Sequence, residues 1–490
     1  MRALARPKSG GAGPVPAGLA PSDWPTEIVA VTADSRAAAP GVMFAALPGL
    51  RQDGRDFIAD AVARGAAAVL APEGTPWPDG VPARPFILDP APRHALARIA
   101  VTLAGPAPEV LVAVTGTNGK TSTVEFLRQI WAAQGLAAAS LGTLGLIAPG
   151  FPQGSGLTTP DPVSLAGTLA RLASAGIGHA ALEASSHGLD QFRLDGITPA
   201  AAGFTNLTRD HLDYHGGIGA YRAAKLRLFG ELLPQGAPAI AADTLDPPTL
   251  AALTRIAARR RLRFGTVGAH GSAIRLLSTV PRPAGQRLRF ALHGTTHEVE
   301  LALPGRFQAD NVLMAAALAV ALGARDVAAV LDRLTGVRGR LELAARLANG
   351  AAVYVDYAHT PDALTRLLEA LRPHTEGRLV VLFGAGGDRD RGKRPLMGRA
   401  AARLADRVIV TDDNPRSEDP AAIRAEVRAG CPEAVEIGDR TQAIAAGLAG
   451  LGPGDVLAVA GKGHEQGQTI GTTVIPFDDA GTVRRLAGLA

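Results

Sequence analysis

The chain has 490 residues, 47% of them hydrophobic and 19% charged, with 58 glycines, 36 prolines and few aromatics. Hydrophobic cores stop growing near roughly 250 residues, so this length requires more than one domain, and the composition excludes a disordered or fibrous chain. A formal charge of +5 is modest over this length, and the densest basic cluster, Arg259-Arg260-Arg261, has no neighbouring aromatics to stack bases, which favours a solvated helix end over a nucleic-acid surface.

The single cysteine, Cys431, leaves no intrachain disulfide, fits a reducing compartment and reads as a small residue in the loop before Pro432. Residues 1–25 form a flexible Gly/Pro-rich tail without the apolar stretch of a signal peptide. No run reaches the roughly 18 apolar residues of a membrane span, so a cytoplasmic protein without a membrane span is expected. Residues 26–108 alternate apolar runs (Gly41–Leu47, Ala66–Leu70, Phe86–Leu88) with helical patterns and predict a small α/β domain. After the punctuated linker Ala104–Pro108, residues 109–337 predict a larger α/β region. Its buried-strand candidates are Glu109–Val114, His179–Leu182 and Ala201–Phe204; Leu288–Leu303 alternates around His293-Gly294, and Asn311–Leu322 reads as an Ala/Leu-rich helix. In residues 338–490 the strands Arg378–Phe383, Arg407–Val410 and Val456–Ala460 each run into a polar loop. Ligands bind beyond the carboxyl ends of strands in open parallel sheets, so these loops are expected to converge on a site.

The strand Glu109–Val114, the turn Thr115–Gly119 and the helix opening at Lys120 have the order a phosphate loop requires. Backbone N–H groups and the helix dipole face the anion, Lys120 neutralises phosphate charge, and Thr121 offers a hydroxyl to Mg²⁺. Val114 stands where the usual G-x-x-x-x-G-K-T pattern has its first glycine.

With Val114-Thr-Gly-Thr-Asn-Gly-Lys-Thr121, the segments Glu183-Ala-Ser-Ser-His-Gly-Leu189, Asn206-Leu-Thr-Arg-Asp-His-Leu-Asp213, Gly305-Arg-Phe-Gln-Ala-Asp-Asn311, Arg338-Gly-Arg340 and Asp356-Tyr-Ala-His-Thr-Pro361 resemble the Mur ligase family. Matches extend from Asp34-Ser-Arg36 to Phe477-Asp-Asp479. The resemblance implies three α/β domains: a UDP-binding domain, a P-loop ATPase domain and a Rossmann-like domain for the incoming amino acid. It also implies an ATP- and Mg²⁺-dependent ligase with an acyl-phosphate intermediate, and nothing in the sequence demands more than a monomer. The branch that fits best joins the D-glutamate γ-carboxylate of UDP-MurNAc-L-Ala-D-Glu to meso-diaminopimelate in peptidoglycan precursor synthesis. L-lysine or another diamine as acceptor, a folylpolyglutamate synthetase and a non-ligase NTPase are the competing readings.

By the same resemblance, Gly116, Thr117, Asn118, Gly119, Lys120 and Thr121 hold the nucleotide phosphates, with Asn311 at the base and Arg340 and Asp356 near ribose and phosphates. Glu183, His211, Thr121 and Lys225 serve the metal ions and catalysis, Lys225 as a CO₂-derived carbamate that requires a neutral amine and hence a depressed pKa. Read without the family, Lys225 is an ordinary solvated helix lysine. Ser35, Leu50, Arg51 and Gln52 would read the uridine nucleotide, and Thr158, Thr159, Ser185, Gln191 and Arg193 the muramyl dipeptide. Arg389, Asp413, Asn414, Pro415, Arg416, Gly461 and Glu465 would hold diaminopimelate. In this set Arg416 supplies a planar fork for the extra carboxylate that distinguishes diaminopimelate from lysine.

Overall fold

The computed structural model describes residues 27–49, 52–152, 157–282 and 285–489. The expected tail, Leu50 and Arg51 lie outside the described residues. The described residues fall into two compact units, one within Met1–Lys120, Gln134–Gly265 and Ala321–Gly323, the other within Thr121–Ala133, Thr266–Val320 and Ala324–Ala490.

In the first unit the three apolar runs expected near the start become strands, joined by one more. They are β1 (Ala30–Thr32), β2 (Val42–Ala45), β3 (Ala68–Pro72) and β4 (Phe86–Asp89), a parallel sheet in chain order. The helix Pro92–Ala104 starts on a proline, whose missing N–H is no loss in a first turn, and buries Leu96, Ala97 and Ala100. Leu96 and Ala100 belong to the same core as Ile28, Val31 and Met43.

A second sheet of this unit contains β5 (Val110–Thr115), β6 (Ala138–Gly142), β7 (Gly145–Ile147), β8 (His179–Glu183), β9 (Ala201–Phe204) and β10 (Pro238–Ala242), ordered β10-β9-β5-β8-β6-β7. All are parallel except β7. β5 lies between β8 and β9, with only its first residue short of burial, which is why it reads as an uninterrupted apolar run rather than an alternation. Its register sets Val114 beside Glu183 and Thr115 beside Phe204, so the carboxyl ends of three strands lie level.

The chain leaves this unit along β11 (Arg263–Gly268). The arginine cluster just before it ends the helix Pro247–Arg259, with Arg259 and Arg261 exposed and Arg260 donating to the Leu233 carbonyl at 2.6 Å, a solvated helix end as expected.

The second unit opens with the antiparallel strands β12 (Ile274–Arg282), β13 (Gly285–Leu292) and β14 (Thr295–Leu301). The expected turn His293-Gly294 joins the last two with φ of 52° and 80°, the double positive φ of a type I′ hairpin. The expected Ala/Leu-rich helix is Arg306–Ala321, beginning a turn earlier than its apolar run, with Asn311 buried in its interior and not at a cap.

The remaining sheet comprises β15 (Glu342–Arg346), β16 (Ala352–Asp356), β17 (Leu379–Phe383), β18 (Arg407–Val410), β19 (Val435–Glu436) and β20 (Val456–Ala460), ordered β15-β16-β20-β17-β18-β19. Only β15 runs antiparallel. Cores cover both faces, one built on Leu364, Phe383 and Val410, the other on Val353, Leu382 and Ile444. The three expected strand-to-loop units are present, and β16 adds a fourth. A hairpin, β21 (Gly467–Ile470) and β22 (Thr473–Pro476), follows β20. Cys431 is buried, its thiol directed at the Val427 carbonyl. Among the described residues no helix is long and apolar enough to cross a membrane.

Candidate active site

The first unit carries the phosphate loop between β5 and the helix Lys120–Ala133. Gly116 has φ 148°, and a Cβ there would run into the Thr205 hydroxyl, so the position requires glycine on both conformational and steric grounds. The loop is braced by the segment that follows β9. Thr205 Oγ1 donates to the Asn118 carbonyl at 2.6 Å. The Asn206 amide accepts from Asn118 N–H at 2.9 Å and donates to the Asn118 carbonyl at 3.0 Å. Thr117 Oγ1 accepts from Thr208 N–H at 2.9 Å and meets Tyr221 OH at 3.1 Å. Thr117 and Asn118 thus hold the loop's shape by their side-chain and backbone bonds to 206–208. Thr205 escaped the sequence reading, because a hydroxyl that braces a distant loop leaves no local pattern.

Two lysines bend onto this loop. Lys120 Nζ donates to the carbonyls of Gly116 at 2.9 Å and Thr117 at 2.8 Å, and Lys225 Nζ donates to the same Gly116 carbonyl at 2.8 Å. Lys225 is 1% exposed, which overturns the solvated-lysine alternative. Burial, and then the Lys120 cation, hold its pKa well below the ordinary lysine value. Its ammonium lies 4.5 Å from the Tyr221 ring centre.

Glu183, equally buried at the end of β8, accepts from Thr143 N–H at 2.7 Å and from the Thr143 hydroxyl at 3.2 Å. His211 caps the short helix Leu212–His215 in the left-handed conformation, φ 50°. Its half-exposed ring lies 4.8 Å from that of His187 and 6.5 Å from that of Tyr221. Among the described residues no group of three or more His, Cys, Asp or Glu side chains is arranged to hold a metal. A buried carboxylate level with the phosphate loop fits Mg²⁺ nonetheless, since Mg²⁺ is commonly held by one or two carboxylates together with substrate phosphates and waters.

The residues expected at the dipeptide form one network. The Thr158 and Thr143 hydroxyls meet at 3.0 Å. Thr159 Oγ1 donates to the Glu183 carbonyl at 2.7 Å and accepts from Ser185 N–H at 3.0 Å, while Ser185 Oγ caps the next helix through Gly188 N–H. Arg193 donates to the Thr159 carbonyl at 2.7 Å and to Gln191 Oε1 at 2.7 Å. Gln191 and Arg193, together with Arg93, Asp161 and Leu157, line a cavity of about 230 Å³. The Thr159 and Ser185 hydroxyls therefore shape the site through bonds within the protein. Arg93, the second arginine lining this cavity, was missed because it lies in an unremarkable helical segment. At the expected uridine end, Ser35 is buried and Gln52 is exposed.

In the second unit, Arg340 lies 4.8 Å from the Tyr357 ring centre, with Nη2 3.5 Å from Thr121 Oγ1. Asp356, at the end of β16, accepts from Leu341 N–H at 2.7 Å and Ala358 N–H at 2.8 Å; burial pushes its carboxyl up against the opposing pull of Arg340. His464 faces the same tyrosine at 4.9 Å, and burial with Arg340 nearby brings its pKa down to about 4.

The loops after β16, β17, β18 and β20 emerge at one edge of their sheet, as anticipated for three of them. Arg416 has φ 51°, is half-buried and donates Nη1 to the Gly387 carbonyl at 2.7 Å; no carboxylate of the described residues pairs with it. Arg389 is exposed in the neighbouring loop. Asn414 Oδ1 accepts from Lys462 Nζ at 2.8 Å and Thr469 N–H at 2.9 Å, which fixes the amide so that Nδ2 donates to Glu465 Oε2 at 2.9 Å. Gly461 has φ 116°, and a Cβ there would collide with the Asp413 carboxylate, so the position requires glycine. Beneath these loops Arg440 and Asp479, both fully buried, form a two-pronged ion pair at 2.7 Å. Arg440 also donates to the carbonyls of Asp412 and Ala460, which ties the ends of β18 and β20 together. Lys462 was overlooked within Gly461-Lys-Gly-His-Glu465 because lysines are ordinarily solvated, whereas this one is completely buried.

Three family models match the chain in succession: the Mur ligase family catalytic domain over residues 27–101, the Mur ligase middle domain over 114–319 and the Mur ligase glutamate ligase domain over 339–463. A relative from Caulobacter vibrioides named UDP-N-acetylmuramoyl-L-alanyl-D-glutamate--2,6-diaminopimelate ligase is 54% identical, covering 94% of this chain and 96% of its own length. A relative of the same name from Rhizobium meliloti is 51% identical over 94% of each chain. A solved structure of a ligase of that name superimposes with a TM-score of 0.70 at 33% identity, covering 94% of this chain and 95% of its own. With three successive family models matched and identity of this extent along nearly the whole length, the chain belongs to the Mur ligase family and is an ATP-dependent, peptide-forming ligase.

Proposed function

We propose that this ligase joins the D-glutamate γ-carboxylate of UDP-MurNAc-L-Ala-D-Glu to the amine of meso-diaminopimelate in peptidoglycan precursor synthesis, acting in the cytoplasm as a monomer. The observation that carries the acceptor is Arg416. With Nη1 on the Gly387 carbonyl, its Nε and Nη2 edge has no partner among the described residues, and a carboxylate takes such an edge through two parallel hydrogen bonds. Glu465, with one oxygen held by Asn414, keeps the other for the distal ammonium. Arg389, Asp413, Pro415 and Gly461 complete the pocket, within a C-terminal domain of residues 338–490.

The reaction needs a positioned carboxylate, a neutralised phosphoryl group and a positioned amine. The substrate carboxylate attacks the γ-phosphorus, the bond to the ADP oxygen breaks, and the amine then attacks the acyl carbon with departure of phosphate. In the central domain, 109–337, the loop Gly116–Gly119 offers N–H groups and Lys120 its cation to the phosphates, with Asn311 at the base. Thr121, Glu183 and His211 would hold Mg²⁺, which neutralises phosphate charge. By the family resemblance Arg340 and Asp356 serve the ribose and phosphates of the nucleotide. The cavity at Gln191 and Arg193 takes the dipeptide, with Thr158, Thr159 and Ser185 shaping it. Ser35, Leu50, Arg51 and Gln52 read the uridine end in the domain of residues 26–108.

Lys225 carries a carbamate in this reading. Its depressed pKa favours the neutral amine that CO₂ requires, and the carbamate's negative charge would be attracted to the Lys120 cation. Purified enzyme given UDP-MurNAc-L-Ala-D-Glu, ATP and Mg²⁺ should release phosphate in step with consumption of meso-diaminopimelate, and far less with L-lysine or L-ornithine. Full-rate phosphate release without an acceptor would refute the ligase chemistry; equal use of L-lysine would refute the acceptor.

A further inference from the structure

Arg394 lies at the start of the helix Lys393–Leu404, and its side chain is completely buried. Burying a guanidinium requires partners, and it has two carboxylates. Glu418 receives Nη2 at 2.8 Å and Nη1 at 2.9 Å on separate oxygens; Glu426 receives Nη1 at 2.8 Å. The two glutamates differ in what else they hold. Glu426 takes only a second, exposed arginine, Arg391. Glu418 Oε1 also accepts the backbone N–H of Asp388 at 2.6 Å.

That second bond lies in the acceptor loops. Glu418 follows Arg416 by two residues, and Asp388 precedes Arg389. Between the two loops run further ties: Gly387 N–H to the Asn414 carbonyl at 2.9 Å, Arg416 Nη1 to the Gly387 carbonyl at 2.7 Å and Ser417 Oγ to the Asp388 carboxylate at 2.5 Å. Arg394 adds a bond to the Gly386 carbonyl at 3.2 Å. The fork of Arg416 therefore takes its direction from a peptide segment, 386–388, that is bolted to the rest of the domain through Glu418.

We infer that Glu418 is a specificity-determining positioning residue: by gripping Arg394 and the Asp388 N–H together, it sets the direction in which Arg416 and Arg389 present their guanidinium groups to the second carboxylate of the acceptor. This rests on the acceptor reading given above. The Arg394 fork brings the Glu418 carboxyl down to about 2, so it is ionised at every assay pH and adds no pH dependence of its own.

Glu418→Gln and Glu426→Gln each remove one charge from Arg394, but only the first weakens the hold on Asp388. In the full-length enzyme Glu418→Gln should raise the KM for meso-diaminopimelate roughly tenfold, the scale of one weakened charge-assisted hydrogen bond at the reading groups. It should leave the KM for ATP unchanged and narrow the preference over L-lysine. Glu426→Gln, matched for loss of thermal stability, should leave the acceptor KM at the wild-type value. If Glu418→Gln fails to fold, Glu418→Asp keeps the charge for Arg394 but draws the oxygen away from Asp388, and the same KM rise is expected. Equal acceptor KM shifts in the Glu418 and Glu426 variants, or none in either, would overturn the inference. An Arg416→Ala enzyme with an unchanged acceptor KM would instead remove the acceptor reading beneath it.

Discussion

Replacing Arg416 tests the acceptor assignment most directly. One of its N–H groups is committed to the Gly387 carbonyl, so the fork retains two for a substrate carboxylate. Hydrogen bonds to charged groups contribute about 1.5–3 kcal/mol each, and half-burial places the pair toward the lower end, so Arg416→Ala should cost about 2–4 kcal/mol of transition-state binding. That corresponds to a fall of roughly 30- to 1000-fold in kcat/KM for meso-diaminopimelate. Arg416→Lys keeps the charge without the fork and should lose roughly tenfold. L-lysine, lacking the distal carboxylate, should be used no worse by either variant. Steady-state kinetics with both acceptors reads this as a ratio. An unchanged ratio of kcat/KM between the two acceptors would refute the reasoning, whatever happened to the absolute rates.

Lys225→Ala should abolish turnover while leaving nucleotide binding measurable by calorimetry, and stripping bicarbonate should lower wild-type activity reversibly; an unmodified lysine in fully active enzyme by mild mass spectrometry would exclude the carbamate. Gly116→Ala should lose ATP affinity at least tenfold, because its Cβ would displace Thr205 and with it the brace on Asn118; unchanged ATP titrations would show that the loop tolerates the strain. For His464 the folded pKa, about 4, lies below the ordinary 6.5. The unfolded chain therefore binds the proton more readily, and stability falls as pH drops from about 6.5 to about 4 but is unaffected above that window. His464→Gln should reduce the fall in Tm between pH 7 and pH 4.5, and an identical fall in wild type and variant would place the acid sensitivity elsewhere.

The strands β5, β8, β9, β17, β18 and β20 were legible because their interiors are buried on both faces; β9, β18 and β20 coincide with their apolar runs, whereas β6 and β10, no less buried, were not picked out. β16 was passed over, its residues read only for the motif that follows them. The helix Arg306–Ala321 begins before its apolar run because Arg306, Gln308 and Asp310 disguise its first turn.

The chemistry-bearing residues divide along the same line. Chain-local order, strand then glycine turn then lysine, was sufficient for the phosphate loop, and the motif Asp413-Asn-Pro-Arg416 was sufficient to raise diaminopimelate. Burial and pairing depend on segments far apart in sequence. Lys225 buried beside Lys120, Thr205 beneath Gly116, Lys462 orienting Asn414, and Arg394 with Glu418 behind Arg416 are set by tertiary packing. The sequence alone determined which functional groups are present and the order of the strands that carry them. Only the folded chain decided which of those groups are desolvated and which way they point, because desolvation and hydrogen-bond direction belong to neighbours that the sequence does not place side by side.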